Sequence, residues 1–320
     1  MNRLVQPNDL PDSLWHQGDQ VLTLPPSLVS AYIAILERHD LRTMADQPSP
    51  NPGPVGGITK PETDTHLAWG FAGSAARIEL AFLDPTNAVP HVSDAFAQLF
   101  SGNKVAIADV PCGSGAAVLS ILTTLAELRQ RGCVPREPLD VVVIGGEISP
   151  FARNYAVEGI SEIKTTLESQ AIWVQEAFFN WDVCDILSNT DLIREITIRS
   201  RDSGARMLVV ANFSGFLQRQ GKFNAAKPQL EELFRHYRGT QCSAIWVEPQ
   251  APAVNNLAGG FFPRVNLWLA ETWARFIHLF DTRQQPTSGA QASCLSRHPL
   301  KPELTPEVRL SVMRFDLNSN

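Results

Sequence analysis

A doubly wound α/β fold around a mostly parallel sheet is what this sequence predicts, on three observations. Residues 105–122, VAIADVPCGSGAAVLSIL, pass from a buried strand through a glycine turn straight into a helix. Residues 140–149, DVVVIGGEIS, form a second near-continuous apolar strand. Similar strands recur downstream between segments of helical spacing, and strands of this kind suit a parallel sheet covered on both faces.

The first hundred residues are expected to form an N-terminal helical cap, and residues 101–320 the sheet domain. Residues 26–38 read as an N-capped helix with Leu28, Tyr32, Ile35 and Leu36 on one side. Residues 47–65, QPSPNPGPVGGITKPETDT, are rich in proline and glycine and polar, which predicts a flexible loop. Residues 66–83 and 90–100 then read as two helices, with Trp69, Phe71, Ile78, Leu80 and Phe82 as their apolar inventory. Of these, Trp69, Phe71 and Arg77 are candidates to line a substrate pocket, although aromatic residues at such positions also serve as core. His66 is a candidate base and equally a surface or capping residue.

In the turn, Gly113 and Gly115 free the backbone to bend sharply before a run of good helix formers. The first N–H groups of such a helix have no partner within the helix, so a polar ligand can dock against them. Asp109 adds an acid at the end of the strand. A dinucleotide fingerprint would need a third glycine three residues on, and Val118 stands there; the Gly-Lys-Ser/Thr phosphate loop is absent. Cys112 reads as a small buried residue lining the turn, since no base is near it in sequence. In the second strand Glu147 is the terminal acid, Ser149 an N-cap and Pro150 the first helical residue.

The string Asp109-x-x-Cys112-Gly113-Ser114-Gly115 after an apolar strand resembles the first motif of class I S-adenosylmethionine-dependent methyltransferases. The resemblance covers about residue 100 onward. It implies a Rossmann-like, seven-stranded sheet whose last strand inserts antiparallel, and S-adenosyl-L-methionine as cofactor. It also implies that Glu147 accepts hydrogen bonds from the ribose hydroxyls and that Ile148 packs on adenine. A third strand over 171–179 is followed by Asp182 and Val183, which match the positions that bind the exocyclic amine and the ring of adenine. Asp182 is equally suited to cap a helix running through Ile186. A fourth strand, 206–211, ends at Asn212-Phe213-Ser214-Gly215. In the family this strand end lies near the reacting methyl, so Asn212 is a candidate on both the cofactor and the substrate side and Ser214 on the substrate side; as residue types they also simply make turns. Helices ahead of the first strand commonly cover the substrate in that family.

A fifth strand is expected at 242–248, then a helix carrying Leu269, Trp273, Phe276, Ile277 and Phe280 on one face, a loop over 281–292, and a final strand over 308–317, the partner of a hairpin begun near 293–296. Five scattered cysteines without CxxC spacing give neither a disulfide framework nor a zinc site, and no metal is expected. A net charge of −6 without a dense Lys/Arg block disfavours nucleic acid as partner. With neither a signal peptide nor a long apolar run, the expectation is a cytoplasmic protein without a membrane span. The functional expectation is methyl transfer to a small molecule, with a protein side chain as the second choice. A non-catalytic binding module on the same fold is the alternative, and a nicotinamide-dependent oxidoreductase a more remote one.

Overall fold

The computed structural model describes residues 3–49, 57–250 and 290–317. Their order is β1 (Trp15–His16), β2 (Val21–Leu22), α1 (Pro26–Arg38), α2 (Arg42–Ala45), α3 (Lys60–Leu83), α4 (Pro90–Leu99), β3 (Lys104–Asp109), α5 (Ala116–Gln130), β4 (Leu139–Glu147), α6 (Pro150–Ser169), β5 (Ile172–Asn180), α7 (Ile186–Arg199), β6 (Ala205–Ala211), α8 (Ser214–Arg219), α9 (Phe223–His236), β7 (Cys242–Pro249), β8 (Ala290–Ser296) and β9 (Glu307–Asp316). Among the described residues no helix is long and apolar enough to cross a membrane.

One mixed sheet runs in the order β1-β2-β8-β9-β7-β6-β3-β4-β5. Strands β5, β4, β3, β6 and β7 are mutually parallel. The last strand, β9, is inserted antiparallel between β7 and β8. The sheet therefore has nine strands and not seven, because the two-residue strands β1 and β2 from the N-terminal segment extend the β8 edge. Two residues carry too little periodicity to be seen in a sequence.

Alternation along the central strands explains their near-continuous apolarity. Val105, Ile107, Val141, Val143, Met207 and Val209 face one apolar cluster, while Ala106, Ala108, Val142, Ile144, Leu208 and Val210 face the other. Successive side chains of a strand point to opposite faces, and here both faces are dry. The first cluster also takes in α1, α3, α4, α5 and α6, so the helices of the first hundred residues share a core with the sheet. The second is closed by α7 and α9, through residues such as Leu192, Ile196, Leu230 and Leu233.

Three local expectations need correction. Helix α3 starts at Lys60, not at residue 66, because the Glu62 carboxylate accepts from the Thr59 N–H at 3.1 Å and the Thr59 hydroxyl at 2.7 Å; this reciprocal cap turns the end of the proline-rich stretch into helix. Helix α1 has no side-chain cap, since Pro25 precedes it and Pro26 occupies the first turn. Residues 290–292 belong to β8 and not to a loop, paired with Leu310–Val312 of β9. The aromatic stripe expected at 269–280 and the rest of the loop, 281–289, lie outside the described residues.

The turn between β3 and α5 sets the site. Gly113 and Gly115 have φ of +50° and +82°, a region that L residues other than glycine enter at a cost of roughly 1–2 kcal/mol. A Cβ on Gly115 would lie 3.1 Å from Ala156 Cβ and 3.2 Å from Ala156 Cα, so α6 is seated directly against the glycine. Gly115→Ala should therefore destabilise the protein by about 1–2 kcal/mol and Gly115→Val by more, measured by urea denaturation. A valine variant with wild-type stability would mean that α6 yields at this contact.

Candidate functional site

Polar groups cannot be spared inside a sheet with two dry faces, and they collect at the carboxyl ends of its strands. Between β3 and β6 the sheet order reverses direction, which leaves a crevice at the ends of these strands. A cavity with about 1050 Å³ of empty space, open mouth included, occupies that position.

The cavity brings together most of the residues singled out by sequence. Asp109, Cys112, Gly113 and Ser114 line it from β3 and the turn, Glu147 and Ile148 from the end of β4, Asp182 and Val183 from beyond β5, and Asn212 from the end of β6. Gly115 forms the helix start behind them.

The acids differ in environment. Glu147 accepts from the Gly113 N–H at 3.1 Å through Oε2 and from the Ser149 N–H at 2.9 Å through Oε1. Burial raises its pKa, and these N–H contacts offset the rise in part. Asp109 is fully buried in the wall below the turn, and neither oxygen has a hydrogen-bond partner among the described residues. Burial pushes it up to about 8, with the Glu147 charge adding to the rise; the nearby Val118 N–H offsets this in part without closing a hydrogen bond. Ser114 Oγ is likewise buried and unpartnered among the described residues. An unsatisfied carboxyl and hydroxyl cost stability, and they form a donor and acceptor set that a ligand can complete. Burial also drives the Cys112 thiol well above its usual pKa, so it is not a thiolate nucleophile.

Asp182 does not cap α7. Asp185 does, accepting from the Leu187 N–H at 2.8 Å, while Asp182 Oδ1 accepts from the Cys184 N–H at 2.9 Å in a tight turn that presents the acid to the cavity.

On the substrate side four candidates, Trp69, Phe71, Arg77 and Ser214, are not among the residues that line the cavity. Trp69 is not in the cavity wall, because its indole N–H donates to the Met44 and Gln47 carbonyls at 2.9 and 3.0 Å. Phe71 is buried and stacked on Tyr32 with ring centroids 4.8 Å apart, a core role. Ser214 also turns away from a ligand: its hydroxyl donates to Glu248 Oε1 at 2.6 Å. That oxygen further accepts from the Phe213 and Ser214 N–H groups at 3.1 and 2.8 Å and from the Trp246 indole at 2.6 Å, so Glu248 pins the turn after β6.

Sequence reading missed Ser74, Phe216 and Lys222, which also line the cavity, and Thr63, whose hydroxyl meets Ser149 Oγ at 2.8 Å and ties α3 to the start of α6. It also missed Arg153, which donates to the Glu147 and Ile148 carbonyls and to Asn180 Oδ1, holding the ends of β4 and β5 together. The legible signal for part of this set was the spacing 63, 66, 70, 74, 77 on one helical face. His66 meets the cavity too; burial, with the Arg77 charge, lowers its pKa to about 4, so the imidazole is neutral at pH 7.

No protein-family model and no curated protein sequence matches the chain. Three of the similar solved structures are methyltransferases. A precorrin-6y C5,15-methyltransferase from Geobacter metallireducens GS-15 is 9% identical over 70% of this chain and 86% of that one, with a TM-score of 0.32. A candidate class I S-adenosylmethionine-dependent methyltransferase from Listeria monocytogenes is 12% identical over 91% and 86%, with a TM-score of 0.34. Human N-acetylserotonin methyltransferase in complex with S-adenosylmethionine is 10% identical over 92% and 73%, with a TM-score of 0.28.

The raised pKa of Asp109 gives a signed expectation. A group that holds its proton more tightly when folded contributes stability that is fully present below its unfolded pKa, near 4, and is lost as pH rises through about 8. Asp109→Asn removes that loss, so chemical denaturation of the ligand-free protein should show the variant gaining on wild type from pH 4 to 8 and levelling off above. A difference that does not change with pH would mean that Asp109 is ionised throughout.

Proposed function

We propose that this protein is an S-adenosylmethionine-dependent methyltransferase acting on a small molecule in preference to a protein side chain. The observation that carries the reading is the convergence of the glycine turn, Glu147 and Asp182–Val183 on one cavity at three successive strand ends. The residues present suit the cofactor. The unpartnered Asp109 carboxyl and Ser114 hydroxyl provide polar partners for the amino acid moiety, Glu147 an acceptor pair for ribose hydroxyls, and Ile148, Asp182 and Val183 an apolar wall with one acid for adenine. A nicotinamide dinucleotide is less well served, because Val118, fully buried, stands where the third glycine would let helix and strand close up.

When bound, the cofactor supplies a sulfonium-activated methyl group, which passes to a lone pair of the acceptor while the carbon–sulfur electron pair stays on sulfur. The chain's task is then alignment and exclusion of water. Asn212, held by its N–H donating to the Val247 carbonyl at 2.8 Å, and the apolar Ala211, Phe213 and Phe216 form the acceptor side. His66, neutral at pH 7, is suited to accept a hydrogen bond from an acceptor O–H or N–H. The net charge of −6 and the largely apolar wall support a small acceptor over nucleic acid.

Isothermal titration with S-adenosylmethionine and S-adenosylhomocysteine tests this reading. Micromolar binding is expected for the wild type, weakened at least tenfold, about 1.4 kcal/mol, in Asp109→Ala and in Glu147→Ala. A folded wild-type protein that binds neither compound overturns it.

A further inference from the structure

Helix α3 carries a polar face that the cofactor reading leaves unused. His66, Gly70, Gly73, Ser74 and Arg77 recur at spacings of three and four residues and so share one side of the helix. The two glycines give the long side chains room to lie back along it. A Cβ on Gly70 would come within 3.0 Å of the His66 ring, and one on Gly73 within 3.6 Å of Arg77 Nη1.

Arg77 is the unusual member. Its Nε donates to Asn212 Oδ1 at 3.0 Å, and Nη2 comes no closer than 3.5 Å to Ser74 Oγ. Both partners line the cavity; Arg77 itself is not a lining residue, and its guanidinium stands directly behind these two wall residues. Among the described residues it makes no ion pair, and Nη1 has no acceptor. A partly buried arginine normally meets a carboxylate with its planar fork. The nearest acid in its field, Glu248, already accepts four hydrogen bonds on Oε1 from Phe213, Ser214 and Trp246. Burial lowers the Arg77 pKa only to about 10, so it remains a cation at neutral pH. Lys222, which does line the cavity, acts on Cys184 at the Asp182 end.

We propose that the methyl acceptor is a monocarboxylate with an apolar body, its carboxylate bound by the Arg77 fork and its body packed on Ile78, Phe213 and Phe216. This rests on the methyltransferase reading for the word acceptor, and on the α3 face alone for the anion. A monoanion is favoured over a phosphate monoester because a single guanidinium stands against the field of Glu248, and a dianion would find one cation where it needs two. Asn212 holds Nε and thereby orients the fork toward the strand end where acceptor chemistry is proposed.

The test uses benzoate, 3-phenylpropionate and hexanoate, their primary amides, and phenyl phosphate as probes, each titrated by thermal shift and ligand-detected NMR with and without S-adenosylhomocysteine. The carboxylates should bind at least tenfold more tightly than the amides and than phenyl phosphate. Arg77→Met should remove that preference while keeping wild-type affinity for S-adenosylhomocysteine, and Arg77→Lys should restore part of it. Equal response to acid and amide in the wild type, which needs no variant, overturns the proposal, as does an unchanged preference in folded Arg77→Met. Preference for phenyl phosphate also overturns it and assigns the site to a dianion. Arg77-dependent carboxylate binding with no S-adenosylhomocysteine binding supports the anion site and overturns the methyltransferase reading instead.

Discussion

Burial of both faces of the central strands is the constraint from which the rest of this molecule follows. Val105 and Ile107 enter one core while Ala106 and Ala108 enter the other, so β3 has no side on which a polar side chain can meet water. Chemistry is thereby confined to the strand ends. Asp109, Glu147, Asn212 and Glu248 all stand at or just beyond the carboxyl ends of parallel strands, and their separation in sequence disappears because those strands are neighbours.

Confinement has an electrostatic consequence. Five ionisable groups end up in a region of low polarity, and each responds according to its partners. Glu248 and Glu147 accept N–H groups that partly compensate their burial, whereas Asp109 has none and holds its proton to about 8. The same burial leaves His66 neutral at pH 7 beside the glycine turn and leaves Arg77 charged behind the wall residues Ser74 and Asn212, because an arginine begins far above neutrality.

The helices of the N-terminal hundred residues take part in this arrangement as core as well as wall. Helix α3 buries Leu67, Phe71, Ile78 and Leu80 in the cluster shared with the sheet, and it turns His66 and Ser74 to the cavity. Thr63, through Ser149, links it to the start of α6, which is itself pressed onto Gly115. The glycine turn, the two helix starts and the polar face of α3 are therefore one mechanical unit, and a change at Gly115 reaches all of them.

Periodicity and turn chemistry determined most of the fold in advance. The strands at 105–110, 140–149, 206–211 and 242–248 were legible because runs of four or five successive apolar residues need two dry faces, and the capping of α6 by Ser149 was legible because the preference is local. The glycine turn, Glu147 and Asp182 could be named for the same reason: each follows a strand directly. What no local rule reaches is the direction in which a side chain leaves a helix relative to distant partners. Trp69 and Phe71 read as pocket residues, yet one donates to carbonyls of α2 and its exit and the other stacks on Tyr32; Ser214 read as substrate-facing, yet its hydroxyl belongs to Glu248. Conversely, Arg77 acquires its role only when Asn212, far along the chain, arrives at 3.0 Å. Sequence by itself determined where the chain must bend and bury, since those are short-range properties; tertiary structure alone decided which polar groups share a cavity, since that depends on strand order and on contacts between residues many positions apart.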